Sequence, residues 1–171
     1  MSNSARYSEV LAHRPALKNE KMISVKINGE MVESPVQSKW TLAEFLREKK
    51  NLTGTKLGCN RAECGVCTVL LDGVPVFSCT ILAVEANHRM VETVEGLAKN
   101  ESSRRLQQAF VKEDALQCGF CTPGLLMCLK ALHDKEINPS LEQVKEAISG
   151  NYCRCGAYPN IFKAAMEAFS S

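Results

Sequence analysis

The chain has 171 residues, with Lys+Arg 21 against Asp+Glu 19 and a formal net charge of +2. Charge this balanced leaves nothing to attract nucleic acid or a membrane surface, and the basic doublets Lys49-Lys50 and Arg104-Arg105 read as solvated helix faces. Apolar residues at 45% and charged residues at 23% are ordinary for a soluble globular protein, but nine cysteines are not.

Residues 1–21 read as a polar arm, with one helix-like patch from Tyr7 to His13. The arm holds no apolar signal core and no paired arginines, and no run of 18 apolar residues follows anywhere in the chain. These features predict no export and no membrane span, hence a reducing cytoplasm. There, clustered cysteines act as metal ligands rather than disulfides.

From Met22 the pattern sharpens. Ile23, Val25 and Ile27 alternate with polar residues as a strand does, Asn28-Gly29 is a hairpin signal, and Met31 to Val36 returns. Thr41-Leu-Ala-Glu44 is a capping box opening a helix to about Lys50, with Leu42, Phe45 and Leu46 on its apolar stripe. A cysteine-bearing loop runs from Gly54 to Cys67. Thr68 to Leu71 and Val74 to Phe77 form a second hairpin around Asp72-Gly73, and Val91 to Val94 reads as an edge strand. Together these describe a small α+β sheet domain over residues 22–95.

The second half, residues 96–171, is helical. Ser103 to Lys112 carries Leu106, Ala109 and Phe110 on one face. Pro123 suits the first turn of a helix reaching His133, and Asn138-Pro139 breaks it. Ser140-Leu-Glu-Gln143 caps another helix ending near Gly150, and Pro159 opens a last one through Phe169. Four helices on short connections predict a bundle, with the domain boundary near Glu95-Gly96.

Two cysteine groups carry the chemistry. The first is Cys59-Asn-Arg-Ala-Glu-Cys64-Gly-Val-Cys67, followed by Cys79. C-x4-C-x2-C is the plant-type 2Fe-2S spacing. A cluster with four thiolates concentrates negative charge, so backbone N–H groups must turn inward to offset it, and Gly54, Gly58 and Gly65 are placed to permit the tight, partly left-handed turns. Structural zinc would show two short knuckles, the four-iron C-x2-C-x2-C-x3-C-P run is absent, and no histidine stands at Rieske spacing. His13, His88 and His133 read as surface or packing residues.

The second group is Gln117-Cys118-Gly-Phe-Cys121-Thr-Pro-Gly before a helix and Asn151-Tyr-Cys153-Arg-Cys155-Gly after one. Helix N-termini favour thiolates, so two helix ends can clamp a metal centre here. From the residues alone, four-cysteine zinc stays open, and a thioredoxin-like Cys118/Cys121 pair lacks its βαβ setting. Cys128, seven residues past Cys121, reads as a buried free thiol. Trp40 and the methionines read as packing.

Taken together, GCNRAECGVCTVLLDG, QCGFCTPG and NYCRCGAYPNI resemble the small iron–sulfur subunit of xanthine oxidase-type molybdenum hydroxylases over about residues 22–169. The Cys67-to-Cys79 spacing departs from plant ferredoxins but looks like this family. The resemblance implies an α+β fold: an N-terminal plant-ferredoxin-like (β-grasp) domain holding one 2Fe-2S cluster, then a C-terminal four-helix bundle holding another. It implies that Cys59, Cys64, Cys67 and Cys79 hold an outer cluster near a flavin or other acceptor. Cys118, Cys121, Cys153 and Cys155 would hold an inner one, with Gln117 and Cys155 against the pterin of a molybdenum cofactor. The cofactor would sit on a large partner subunit, with FAD on a medium one. Gly156-Ala-Tyr158-Pro-Asn replaces the commoner Thr-Gly-Tyr and looks more like subunits of aldehyde or N-heterocycle oxidoreductases. The chain has no room for a molybdenum domain and no flavin fingerprint, so it relays electrons rather than transforming substrate. A free-standing ferredoxin-like carrier and a zinc-bound interaction protein are the rival readings.

Overall fold

The computed structural model describes residues 19–136 and 138–170. The helix-like patch Tyr7 to His13 lies outside them. Strands β1 (Glu20–Ile27) and β2 (Glu30–Gln37) form the expected hairpin, with Asn28 at φ 50° and Gly29 at φ 93°. Both turn residues are left-handed, as a two-residue hairpin matching the strand twist requires. Asp72 (φ 51°) and Gly73 (φ 79°) repeat that turn between β3 (Thr68–Leu71) and β4 (Val74–Phe77).

The sheet order is β2-β1-β5-β3-β4. Here β5 (Met90–Glu92) corrects the sequence reading. It is not an edge strand but the central one, parallel to β1 through Lys26 and Ile27 and antiparallel to β3 through Leu70 and Leu71. Three residues with one buried side chain carry too little pattern to reveal a central position.

Helix α1 (Leu42–Glu44) opens on the expected box: Glu44 N donates to Thr41 Oγ1 and Thr41 N to the Glu44 carboxylate. It continues as a π-helical turn over Phe45–Lys49, closed by Lys50 N donating to the Phe45 carbonyl. Leu42, Phe45 and Leu46 still face the sheet, packing on Ile23, Val25, Ile27, Val69 and Val91.

Asn100 caps α2 (Glu101–Lys112), accepting from Ser102 N and Ser103 N. Next come α3 (Thr122–Lys135, with Pro in its first turn), α4 (Leu141–Ala147) and α5 (Tyr158–Phe169). Helix α4 stops three residues before Gly150, and the chain reaches that glycine by turns. Leu106, Ala109 and Phe110 of α2 are buried as expected.

All four residues of β3 are buried. Val69 and Leu71 join the core under α1, whereas Leu70 joins Val66 and Leu97 among the residues of α2, α3 and α5. The sheet is thus covered on both faces at β3, and one apolar cluster runs across the expected boundary at Glu95-Gly96. A 3-10 turn (Val94–Lys99) makes the connection, tied to the first hairpin by Thr93 N donating to Asn28 Oδ1 at 2.9 Å. Among the described residues no helix is long and apolar enough to cross a membrane.

Candidate metal centres in two cysteine loops

The first loop is anchored from behind. The Arg47 guanidinium, carried by the π turn, donates to the carbonyls of Thr53 (3.1 Å) and Thr55 (2.7 Å), and Gly54 N donates to Glu95 at 2.8 Å. Beyond this the backbone curls around sulfur. The N–H groups of Arg61, Glu63 and Cys64 all point at Cys59 Sγ, at 3.4, 3.3 and 3.4 Å, and Cys59 N points at Cys64 Sγ at 3.4 Å. Desolvation, the largest influence on the Cys59 thiol, pushes it up; these N–H groups and Cys64 outweigh that and bring it down to about 7.

The curl uses left-handed backbone at Asn60 (φ 54°), Ala62 (φ 59°) and Gly65 (φ 68°). This corrects the expectation for Gly54 and Gly58, whose φ is not positive. They are needed for close approach instead. A Cβ at Gly54 would meet Val94 at 2.4 Å, and one at Gly58 would meet Cys64 Sγ at 3.0 Å.

Cys67 and Cys79 form the other half of this group and lie within hydrogen-bonding reach of each other. Cys79 follows β4, and Ser78 between them donates its hydroxyl to the Cys67 carbonyl at 2.6 Å. Burial pushes the Cys67 thiol up to about 11.

The second group sits where α3 begins and where α5 is about to begin. Cys118 Sγ and Cys155 Sγ are 3.5 Å apart. Cys121, at the N-cap of α3, pairs with Cys153. Burial, and next to it Cys153, pushes Cys121 up to about 12. Cys153 goes the other way: burial raises it, but the backbone of Ala157, Cys155 and Gly156 and the Cys121 side chain prevail and lower it. Cys118 is lowered chiefly by the Phe120 N–H, then by Cys155. Cys153 N donates to the Tyr158 hydroxyl, which donates to the Asn151 carbonyl, both at 2.9 Å.

Eight cysteines thus stand as four pairs in two groups. Among the described residues no three metal-ligating side chains gather around one point. Four thiols in two close pairs, with backbone N–H groups turned toward the sulfurs, are a donor set that would suit a 2Fe-2S cluster in each group. All nine cysteines are free of disulfides.

The loops also touch each other. Tyr152 N donates to the Cys64 carbonyl, and Asn151 Nδ2 to the Gly65 carbonyl, both at 2.9 Å. Gln117 does not cap a helix; its Nε2 reaches the Cys155 carbonyl at 3.4 Å on the exposed rim. Cys128 is buried, as expected, with Sγ 3.1 Å from Asn151 Oδ1. His88 turns a loop and His133 lies edge-on to Phe169. Arg47 was not legible as a positioning residue, since nothing in its spacing ties it to a cysteine loop; Ser78 and Asn151 stand beside cysteines in the sequence, but their partners, the Cys67 and Gly65 carbonyls, appear only in the fold.

Comparison with known proteins agrees with this geometry. The model of a 2Fe-2S iron–sulfur cluster binding domain matches residues 25–128, and that of a [2Fe-2S] binding domain matches residues 93–166. The chain is 49% identical over 148 residues to subunit beta of the 6-hydroxypseudooxynicotine dehydrogenase complex of Paenarthrobacter nicotinovorans, covering 86% of this chain and 92% of that one. It is 46% identical over 146 residues to subunit gamma of caffeine dehydrogenase of Pseudomonas sp. (strain CBB1), covering 84% and 87%. Among solved structures, quinoline 2-oxidoreductase from Pseudomonas putida 86 superimposes with a TM-score of 0.85 at 43% identity, over 90% of this chain and 95% of that one. On these matches, the chain belongs to the family of small 2Fe-2S iron–sulfur subunits of xanthine oxidase-type molybdenum hydroxylases.

Proposed function

We propose that this chain is the electron relay of a cytoplasmic complex that oxidises an N-heterocyclic substrate on a large molybdopterin-binding subunit and delivers electrons to a medium FAD subunit. The observation that carries the reading is the division of eight cysteines into four close pairs in two touching loops. Cys59 with Cys64 and Cys67 with Cys79 would hold the outer cluster, in a domain spanning 22–95. Cys118 with Cys155 and Cys121 with Cys153 would hold the inner one, in a four-helix bundle spanning 96–171.

Bound 2Fe-2S clusters supply one-electron redox capacity. The chain supplies placement, burial and N–H donors, which together tune each centre. Support for the inner position of the second group comes from its surroundings. Cys118 is exposed, and Leu116 and Phe120, its neighbours in sequence, and Tyr152, next to Cys153, are exposed at 38%, 46% and 67%. Exposed aromatics around a redox loop suit a protein interface. Gln117 and Cys155 are the residues we assign to the pterin edge; the exposed Gln117 Nε2, 3.4 Å from the Cys155 carbonyl, supports the assignment. The substrate class is supported by the relatives described above, whose names carry a pyridine, a purine and a quinoline.

The test is the complex purified through a tag on this chain. A large molybdenum-containing partner should accompany it. Cys118→Ser or Cys153→Ser should abolish turnover with artificial acceptors that draw from the outer group. Full activity in either variant would refute the relay order.

A further inference from the structure

Two loops that must exchange electrons need a fixed separation, and one buried side chain joins them. Asn151 is 3% exposed. Its Nδ2 donates to the Gly65 carbonyl, the residue after Cys64, at 2.9 Å. Its own position is two residues before Cys153. The orientation of the amide is set by its partners, because Gly65 O can only accept and Cys128 Sγ–H, 3.1 Å from Oδ1, is the donor on the other side. Burial keeps that donor protonated by pushing the Cys128 thiol up to about 11. No slack surrounds the joint. A Cβ on Gly65 would lie 2.9 Å from Asn151 Nδ2, and one on Gly124 would lie 2.5 Å from the Gly65 carbonyl oxygen. The neighbouring Tyr152 N–H to Cys64 carbonyl bond shares the same alignment.

We propose that Asn151, its amide locked by the ninth cysteine Cys128, is the positioning residue that sets the spacing and orientation of the two cysteine groups. Cys128 is then not spare packing but the donor that leaves Nδ2 free for Gly65. This rests on the two-cluster reading for its redox consequence, though the joint itself is a property of the chain.

The experiment uses the holoprotein in its complex as wild type, Asn151→Asp, Cys128→Ala and Cys128→Ser. Asn151→Asp keeps the shape and the acceptor for Cys128 but removes the donor to Gly65. Cys128→Ser keeps a donor, and Cys128→Ala removes it. Two readouts are taken: the magnetic splitting between reduced centres at low temperature, and amide hydrogen exchange over residues 59–67 and 151–155. In Asn151→Asp and Cys128→Ala the splitting should change, and exchange in both loops should rise roughly tenfold, the effect of losing about one buried hydrogen bond. Cys128→Ser should match wild type. Unchanged splitting and exchange in Asn151→Asp or Cys128→Ala would overturn the proposal, and if Asn151→Asp fails to load iron, Cys128→Ala against Cys128→Ser decides it. A wild-type protein with fewer than two centres would sink the two-cluster reading, while the exchange measurement would still test the joint.

Discussion

At Gly65 the chain is left-handed, with φ 68°, and passes so near the other loop that a Cβ would lie 2.4 Å from the Gly150 carbonyl oxygen. Gly73 has a similar φ of 79° but nothing within 4 Å of an added Cβ. The pair separates two physical effects. Alanine at Gly73 adds only backbone strain, about 1 kcal/mol. Alanine at Gly65 adds strain and a clash with backbone that cannot move aside, for a total of roughly 3 kcal/mol or more. Gly65→Ala should therefore lower both the melting temperature and the iron content, whereas Gly73→Ala should lower only the former, and slightly. Equal losses in thermal scans and iron assays would contradict the interlocked loops. At this scale the sequence was informative about the candidate ligands and much less so about their supports. The spacing of the first group pointed to four thiols and the family resemblance to four more, but the left-handed residues Asn60 and Ala62 carry no glycine to announce them, and Asn151, though it opens the second cysteine motif, gives no sign of its bond to Gly65 until the fold makes it.

Between elements, Lys130 of α3 is the buried cation that ties the helices to the sheet. Its side chain is 9% exposed, and it pairs with Asp134 on its own helix and with Glu92 of β5 at 3.4 Å. Desolvation, the largest influence, pulls its pKa down, but Asp134 and Glu92 together outweigh it and raise it. A raised cation contributes its full stability below the unfolded value, about 10.4, and loses it as pH climbs through the higher folded value. Lys130→Met should cost about 1–2 kcal/mol at neutral pH, at the low end for a charged hydrogen bond because both carboxylates can rehydrate. The gap between wild type and variant should persist through pH 9 and close only in stronger alkali. A gap that widens with rising pH in denaturant titrations would contradict this assignment.

The apolar core of the helical half should respond more strongly. Leu125 on α3 is fully buried, so Leu125→Ala should cost roughly 3 kcal/mol through lost burial and a cavity. A cost below about 1 kcal/mol by the same titration would mean that this helix does not pack as described. Elements with strong periodicity, such as β1 and α2, were legible because alternation and the 3.6-residue stripe report a buried face directly. The central place of β5 was not, since it is decided by pairing with strands distant in the chain, and neither was the π turn after Glu44, since a capping box announces that a helical turn begins but not its pitch.

Over the whole molecule, the sheet carries α1 on one face and the helical half on the other, and β3 is buried by both. The first cysteine group rides on the sheet, the second on helix ends, and their loops meet through Asn151 and Tyr152. A shared core explains how two small units with separate chemistry hold one relative position without a long linker. The α+β class and both cysteine groups could be read from the sequence, because ligand spacing and local periodicity are written in consecutive residues. The contact between the groups could not, because it depends on residues 86 positions apart. The most direct measurement of the central claim is iron and acid-labile sulfide per chain, with spin integration after anaerobic reduction. The account predicts about four irons per chain, matched by sulfide, and two paramagnetic centres of equal intensity. One centre, or zinc in place of iron, would contradict it.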